Sequence, residues 1–183
     1  SAGTINSAKS VVVPATAASP QTVGPTLNNA PLTSLSRVVR LLADGKQDPT
    51  FVSSPGADGP INTLAVDASR RIIVGGRFQT FHGNVFFKNL ARLNVDGTPD
   101  VTFSQTRSST EAQVNAVAVQ TDGKILVGGA FRTYGSEPWP YLLRLNSDGS
   151  VDSTFRPNVN GDVNTIALQG DGRIVIGGNF TSP

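Results

Sequence analysis

The sequence predicts an all-β protein built on a repeat of about 52 residues, and three observations lead there. A twelve-residue segment returns without gaps at Arg40 to Phe51, Arg92 to Phe103 and Arg144 to Phe155. A second block returns at Ile61 to Phe78, Val114 to Phe131 and Val163 to Phe180, each with an Asn near its start (62, 115, 164) and a Gly-Gly pair before its Phe (75–76, 128–129, 177–178). No stretch carries apolar residues at the helical period between caps, while Gly and Pro punctuate the chain at strand-and-turn spacing.

Taken in order, residues 1–36 are rich in Ser, Thr, Ala and Pro and stand apart from the rest. A flexible linker is the first reading of them. A decayed repeat unit is the second, because at an offset of 104, twice the period, Val23-Gly24 falls on Val127-Gly128 and Leu27 on Phe131. A third is that Val11 to Val13 adds as a strand to another chain's sheet. Residues 37–183 form the repeat region. Within it, Val114 to Gln120 reads as a strand, Asp122-Gly123 as a turn and Lys124 to Phe131 as the returning strand. The first strand of every unit has a large face (Leu64 and Val66, Val117 and Val119, Ile166 and Leu168) and a small face (Thr63 and Ala65, Ala116 and Ala118, Thr165 and Ala167). That asymmetry lets small sheets stack as blades or solenoid coils and bury both faces.

The Asp-Gly turns fix a register. A three-residue loop such as Val95-Asp96-Gly97, with the Gly left-handed, sets Arg92 directly opposite Asp100, and the same turn sets Arg40 opposite Asp48 and Arg144 opposite Asp152. A tight two-residue turn would send those side chains to opposite faces. One turn thus predicts three structural ion pairs, each contributing roughly 0.2–1 kcal/mol. The first unit has Ser69-Arg70 where the others have Asp-Gly, and a left-handed Arg70 would cost roughly 1–2 kcal/mol, so a different turn is expected there.

Composition sets outer bounds. Of 183 residues, 15 are Lys or Arg and 13 Asp or Glu, and the net charge of +2 is too small to argue for a nucleic-acid surface. With no Cys there is no disulfide framework and no thiolate metal site. No apolar run is long enough to span a membrane as a helix. Ser1 to Ser10 lack the basic start and apolar stretch of a signal peptide, and the missing initial Met suggests a processed or excised chain.

At these same residues the chain resembles the delta-60 repeat family of bacterial β-propellers. The segments Leu90-Ala-Arg-Leu-Asn-Val-Asp-Gly through Phe103, and Val114 through Phe131, match that family's signature nearly residue for residue, and the likeness extends from about Val38 to Phe180. The resemblance implies roughly three blades of four antiparallel strands around an axis, in a secreted or cell-surface bacterial protein. It supplies no catalytic residues.

Candidate sites are few. His82 is the sole histidine, which excludes a His-based metal cluster and leaves a loop residue as the plain reading. The recurring pairs Asp44/Asp48, Asp96/Asp100 and Asp148/Asp152 suit turn chemistry better than calcium, whose loops want acidic or amide groups at alternate positions. The Gly-Gly pairs lack a following helix and so are not phosphate cradles; Gly in a strand allows close backbone approach. Two corresponding inserts hold six of the 12 aromatic residues: Phe81, Phe86 and Phe87 in one, Tyr134, Trp139 and Tyr141 in the other. On an open face these rings could stack on sugars or anchor a protein partner; otherwise they pack over blade edges. No metal or other cofactor is expected.

The function expected is a non-catalytic, structural one: a propeller mediating protein assembly, with a carbohydrate-binding module as the alternative. The repeats make up a half blade, two whole blades and another half blade, whereas closed propellers need about 4–8. The single chain is therefore expected to be open. Its ends would be satisfied by other protein chains, copies of itself, either as two chains in a six-bladed ring or as a filament.

Overall fold

The computed structural model describes residues 37–52, 55–83, 87–103 and 110–182, and within them all regular structure is β. The expectations for residues 1–36 and for Phe86 lie outside the described residues.

The first complete blade runs through β1 (Ile61–Val66), β2 (Ile72–Gly76) and β3 (Leu90–Leu93), hydrogen-bonded in that order as an antiparallel sheet. The second repeats it with β4 (Val114–Val119), β5 (Ile125–Gly129) and β8 (Leu142–Leu145). Between them, the insert of the second blade forms a small hairpin of β6 (Thr133–Tyr134) and β7 (Glu137–Pro138). β9 (Val163–Leu168) and β10 (Ile174–Gly178) form a two-stranded sheet equivalent to the first half of a blade. The fourth strand of each unit shrinks to a single bridge, Leu41 with Gln47, Leu93 with Pro99 and Leu145 with Val151.

Alternation of β-branched and small residues drives the pairing: each first strand meets its second in the same register, Leu64 opposite Val74 and Val117 opposite Val127. All three first strands carry a bulge near their start, at Ile61/Thr63, at Val114/Ala116 and opposite Gly177/Gly178. Each bulge packs against the second Gly of the pair. A Cβ on Gly76 would stand 2.2 Å from the Pro60 carbonyl oxygen, and one on Gly129 2.2 Å from that of Gln113. Close backbone approach is thus the reason for glycine there.

The predicted three-residue turns form. Asn94 N–H donates to Thr98 O at 2.8 Å, Asp100 N–H to Arg92 O at 2.8 Å, and Gly97 sits at φ +90°. The turn at Arg70 corrects the expectation. It is the same turn as in the other units, with Arg70 itself left-handed at φ +63° and its N–H donating to Asp67 O at 2.9 Å. The compensation comes from Asp67, which occupies the place of Gln120. Its carboxylate accepts from Arg71 N–H at 2.9 Å and from Arg71 Nε at 2.7 Å, offsetting the backbone strain.

Candidate interaction surface

Consecutive blades are joined by three recurring devices. In the first, a Val of one blade nests on the leading Gly of the blade before it: a Cβ on Gly75 would lie 2.5 Å from Val114 Cγ1, and one on Gly128 2.6 Å from Val163 Cγ1. Val114 and Val163 are fully buried as a result. In the second, the recurring Asn reaches across: Asn62 Nδ2 donates to Val114 O at 3.0 Å, and Asn115 Nδ2 to Asn164 Oδ1 at 3.0 Å and Val163 O at 3.4 Å.

The third device is the Arg–Asp pair. Arg92 Nε lies 2.8 Å from Asp100 Oδ2, its guanidinium stacks 4.4 Å from the centre of the Phe103 ring, and Nη1 donates to Ser147 O of the next blade at 2.5 Å. Arg40 repeats all three contacts with Asp48 (2.8 Å), the Phe51 ring (4.9 Å) and Val95 O. Arg144 meets Asp152 at 2.9 Å and the Phe155 ring at 4.5 Å. The partner carboxylates also accept from their own turns, Asp100 from Thr102 N–H at 3.0 Å and Thr102 Oγ1 at 2.6 Å, with the same pattern at Thr50 and Thr154. Lys124 Nζ is a second cation on Asp152, at 2.8 Å, and leads the Thr154 hydroxyl and Arg144 in holding that carboxyl far below its usual range. At Asp100 burial works to raise the pKa, but the Thr102 donors and Arg92 prevail and lower it. Burial also draws Arg92 below the ordinary guanidinium range, against the pull of Asp100.

Burial falls away at both ends of the described region, although the Arg40 device persists at the first. Val175 occupies in β10 the place of Leu126 in β5, yet it is 50% exposed where Leu126 is fully buried. At the other end Val39 and Leu41 are 50% and 47% exposed, although their counterparts Ala91, Leu93, Leu143 and Leu145 are buried. The half unit at 38–52 is nonetheless held in place. Arg37 Nε donates to Ala57 O at 3.1 Å, Val52 N–H to Asp96 O at 2.6 Å, and Val38 and Phe51 join the core of the first blade.

The aromatic inserts are placed otherwise. Phe81, Phe87, Tyr134 and Trp139 are buried. Phe81 lies edge-on to Phe78 at 5.7 Å, Trp139 is covered by the Arg156 guanidinium at 3.7 Å, and the Tyr134 hydroxyl donates to Gly149 O at 3.4 Å. Tyr141 is half-buried, left-handed at φ +64°, with Arg132 over its ring. Phe81 and Phe87 pack into one apolar core, and Tyr134 and Trp139 into another. His82 stacks flat on Phe81 at 5.3 Å; burial lowers its pKa, and Nε2 has no partner among the described residues. The turn carboxylates are likewise occupied by their own loops: Asp96 accepts from Thr98 and Asp148 from Ser150, which lowers both pKa values. An open cavity of about 520 Å³ lies between the turns of the first blade, lined by Ser69, Arg71, Asn94, Val95 and Asp96.

One recurring device escapes the sequence reading. Four residues before each Asn stands an acceptor that caps the loop after the Gly-Gly-x-Phe run. Asp58 Oδ1 accepts from Gln79 and Thr80 N–H (2.8 and 3.1 Å), Glu111 from Thr133 N–H and Oγ1 (2.9 and 2.6 Å), and Asn160 Oδ1 from Thr181 and Ser182 N–H (2.9 and 3.2 Å). The position varies as Asp, Glu and Asn, so only its constant offset could have signalled it. Buried Asn89 is a second such residue: it bonds Phe78 N–H through Oδ1 and reaches Thr110 O and Ala112 O through Nδ2 at 2.9 and 3.0 Å.

Comparison with known sequences agrees with this repeat. A family described as a domain of unknown function (DUF5122) beta-propeller matches residues 33–51, 68–103, 120–155 and 169–182. No curated protein matches the chain. The match covers more than half of the sequence, and its segments fall on the turns and strands that recur.

Proposed function

We propose that this chain, which belongs to the DUF5122 β-propeller family, is a non-catalytic assembly scaffold whose two end half blades complete one another between copies. The observation that carries this reading is the reversal of burial at equivalent positions, Leu126 against Val175 and Leu143 against Val39. In the complete blades, Ile72 pairs with Leu93 and Val74 with Ala91. The same register sets Ile174 of one copy opposite Leu41 of another, and Ile176 opposite Val39. Pairing of this kind adds strands to an open sheet edge and buries its apolar side chains in one step. Two copies joined in this way at both ends make a closed ring, and a different rotation makes a filament. The recurring polar residues serve contacts within and between blades, which is why we read the scaffold as non-catalytic. A bacterial surface or secreted setting follows from the repeat's resemblance. Sugar stacking draws no support from Trp139, whose ring Arg156 already covers.

The test is the mass in solution. Gly76 and Gly129 donate N–H groups toward the third strand of their blades, to Asn89 O and Tyr141 O. By alternation, Ile174, Ile176 and Gly178 present theirs at the edge of β10 that no strand pairs among the described residues. Sedimentation equilibrium should give a dimer or larger species, and Ile176→Pro should reduce it to a folded monomer. A well-folded monomer of the unaltered chain at tens of micromolar overturns the proposal.

A further inference from the structure

Resting on the shared-blade reading, we infer that Arg173 of one copy forms an ion pair with Asp48 of the next and selects that partner by charge. In each complete blade the residue just before the second strand is a cation within ion-pair distance of the carboxylate of the fourth, closely at Lys124 and, behind its bond to Asp67, more distantly at Arg71. Arg71 Nη1 lies 3.8 Å from Asp100 Oδ2, and Lys124 Nζ lies 2.8 Å from Asp152 Oδ2. Arg173 holds that position before β10, and the fourth-strand carboxylate it should meet is missing from its own sheet among the described residues. Its side chain is 79% exposed, and its one ion pair among the described residues is to Asp171 two residues away, at 2.6 Å.

The complementary gap is at the other end. Asp48 has the Arg40 contact at 2.8 Å, as Asp100 has Arg92 and Asp152 has Arg144, but no second cation among the described residues. The two vacancies correspond in the repeat: a cation without its carboxylate and a carboxylate without its second cation. When Ile174 pairs with Leu41, the register carries Arg173 to the side of Asp48, as it carries Lys124 to Asp152 where Ile125 pairs with Leu145. The occupant of the open edge is therefore a second copy, presenting Val38 to Phe51 with Asp48 in place.

A double-mutant cycle on the full chain tests this. Asp48→Asn keeps the shape of the turn, and Arg173→Ala changes an exposed side chain. Each should weaken self-association roughly fivefold, and the double variant should be no weaker than either single one. Arg173→Glu, which sets like charges together, should weaken it further, and the difference should shrink as salt rises. Thermal unfolding of each variant checks that it folds. If the unaltered chain assembles and the two single effects multiply, the ion pair is overturned while the shared blade stands. If the unaltered chain stays monomeric, the shared blade itself fails.

Discussion

The middle blade and the last half blade carry the same signature and live in different surroundings. β5 reads Ile-Leu-Val-Gly-Gly and is buried throughout; β10 reads Ile-Val-Ile-Gly-Gly and has no fully buried residue. The first of the two glycines shows the cause. Gly128 is walled by Val163 and Ile166 of the neighbouring blade, whereas Gly177 faces only Thr165 of its own sheet. Burial in a repeat protein belongs to the pair of neighbours rather than to the unit. An end unit is therefore a surface made of core residues.

Acid should disturb every unit at once and have the largest effect. The native pKa values of Asp48, Asp100 and Asp152 all lie below the usual 3.8, so each contributes stability above that value and loses it as pH falls through the lower native one. Denaturant midpoints should hold their contribution from these pairs at neutral pH and drop once pH passes below about 3.8. A midpoint indifferent to pH from 5 down to about 2 would show that the pairs contribute nothing to stability.

The next prediction separates the units. Arg92 is 2% exposed, and Arg92→Ala leaves the buried Asp100 carboxylate with Arg71 as its only cation among the described residues, at 3.8 Å, and frees the Ser147 carbonyl, costing about 3 kcal/mol in chemical denaturation. Arg144→Ala should cost less, because Lys124 remains on Asp152. Equal losses would mean that neither the contact to Ser147 nor the nearer second cation at Asp152 matters to stability.

A methyl group at the two glycines sharpens the comparison further. Gly128→Ala drives a Cβ against Val163 and should cost about 1–3 kcal/mol, while Gly177→Ala should cost less in dilute solution, where Thr165 alone must give way. If copies stack, Gly177→Ala weakens their association as well, a difference readable by comparing unfolding at low and high protein concentration. The smallest effect is a gain: Arg70→Gly should raise stability by up to about 1 kcal/mol, by relieving φ +63°. A loss there would mean that the Arg70 side chain makes a favourable contact outweighing its backbone strain.

Several features were legible because they depend on local chemistry alone. The Asp-Gly pair demands a left-handed residue, that turn fixes the strand register, and the register brings Arg92 to Asp100, so a run of nine residues contained the whole argument. The Arg70 turn was misread for the opposite reason. Its compensation comes from Asp67, outside the turn's central pair, and a propensity argument confined to that pair could not weigh it. The loop caps at Asp58, Glu111 and Asn160 were hidden because a backbone N–H accepts any oxygen, so chemistry repeated while residue type did not.

The sequence by itself determined the repeat, from the spacing between copies, and the all-β class, the turn geometry and the ion pairs, from the spacing within one. The tertiary structure alone decided that Trp139 is covered by Arg156, that Arg92 reaches Ser147 of the next blade, and that Val175 is bare where Leu126 is buried. The physical reason is that exposure and inter-blade contact depend on which surface stands opposite. Identical units read identically, and only their stacking distinguishes a middle from an end.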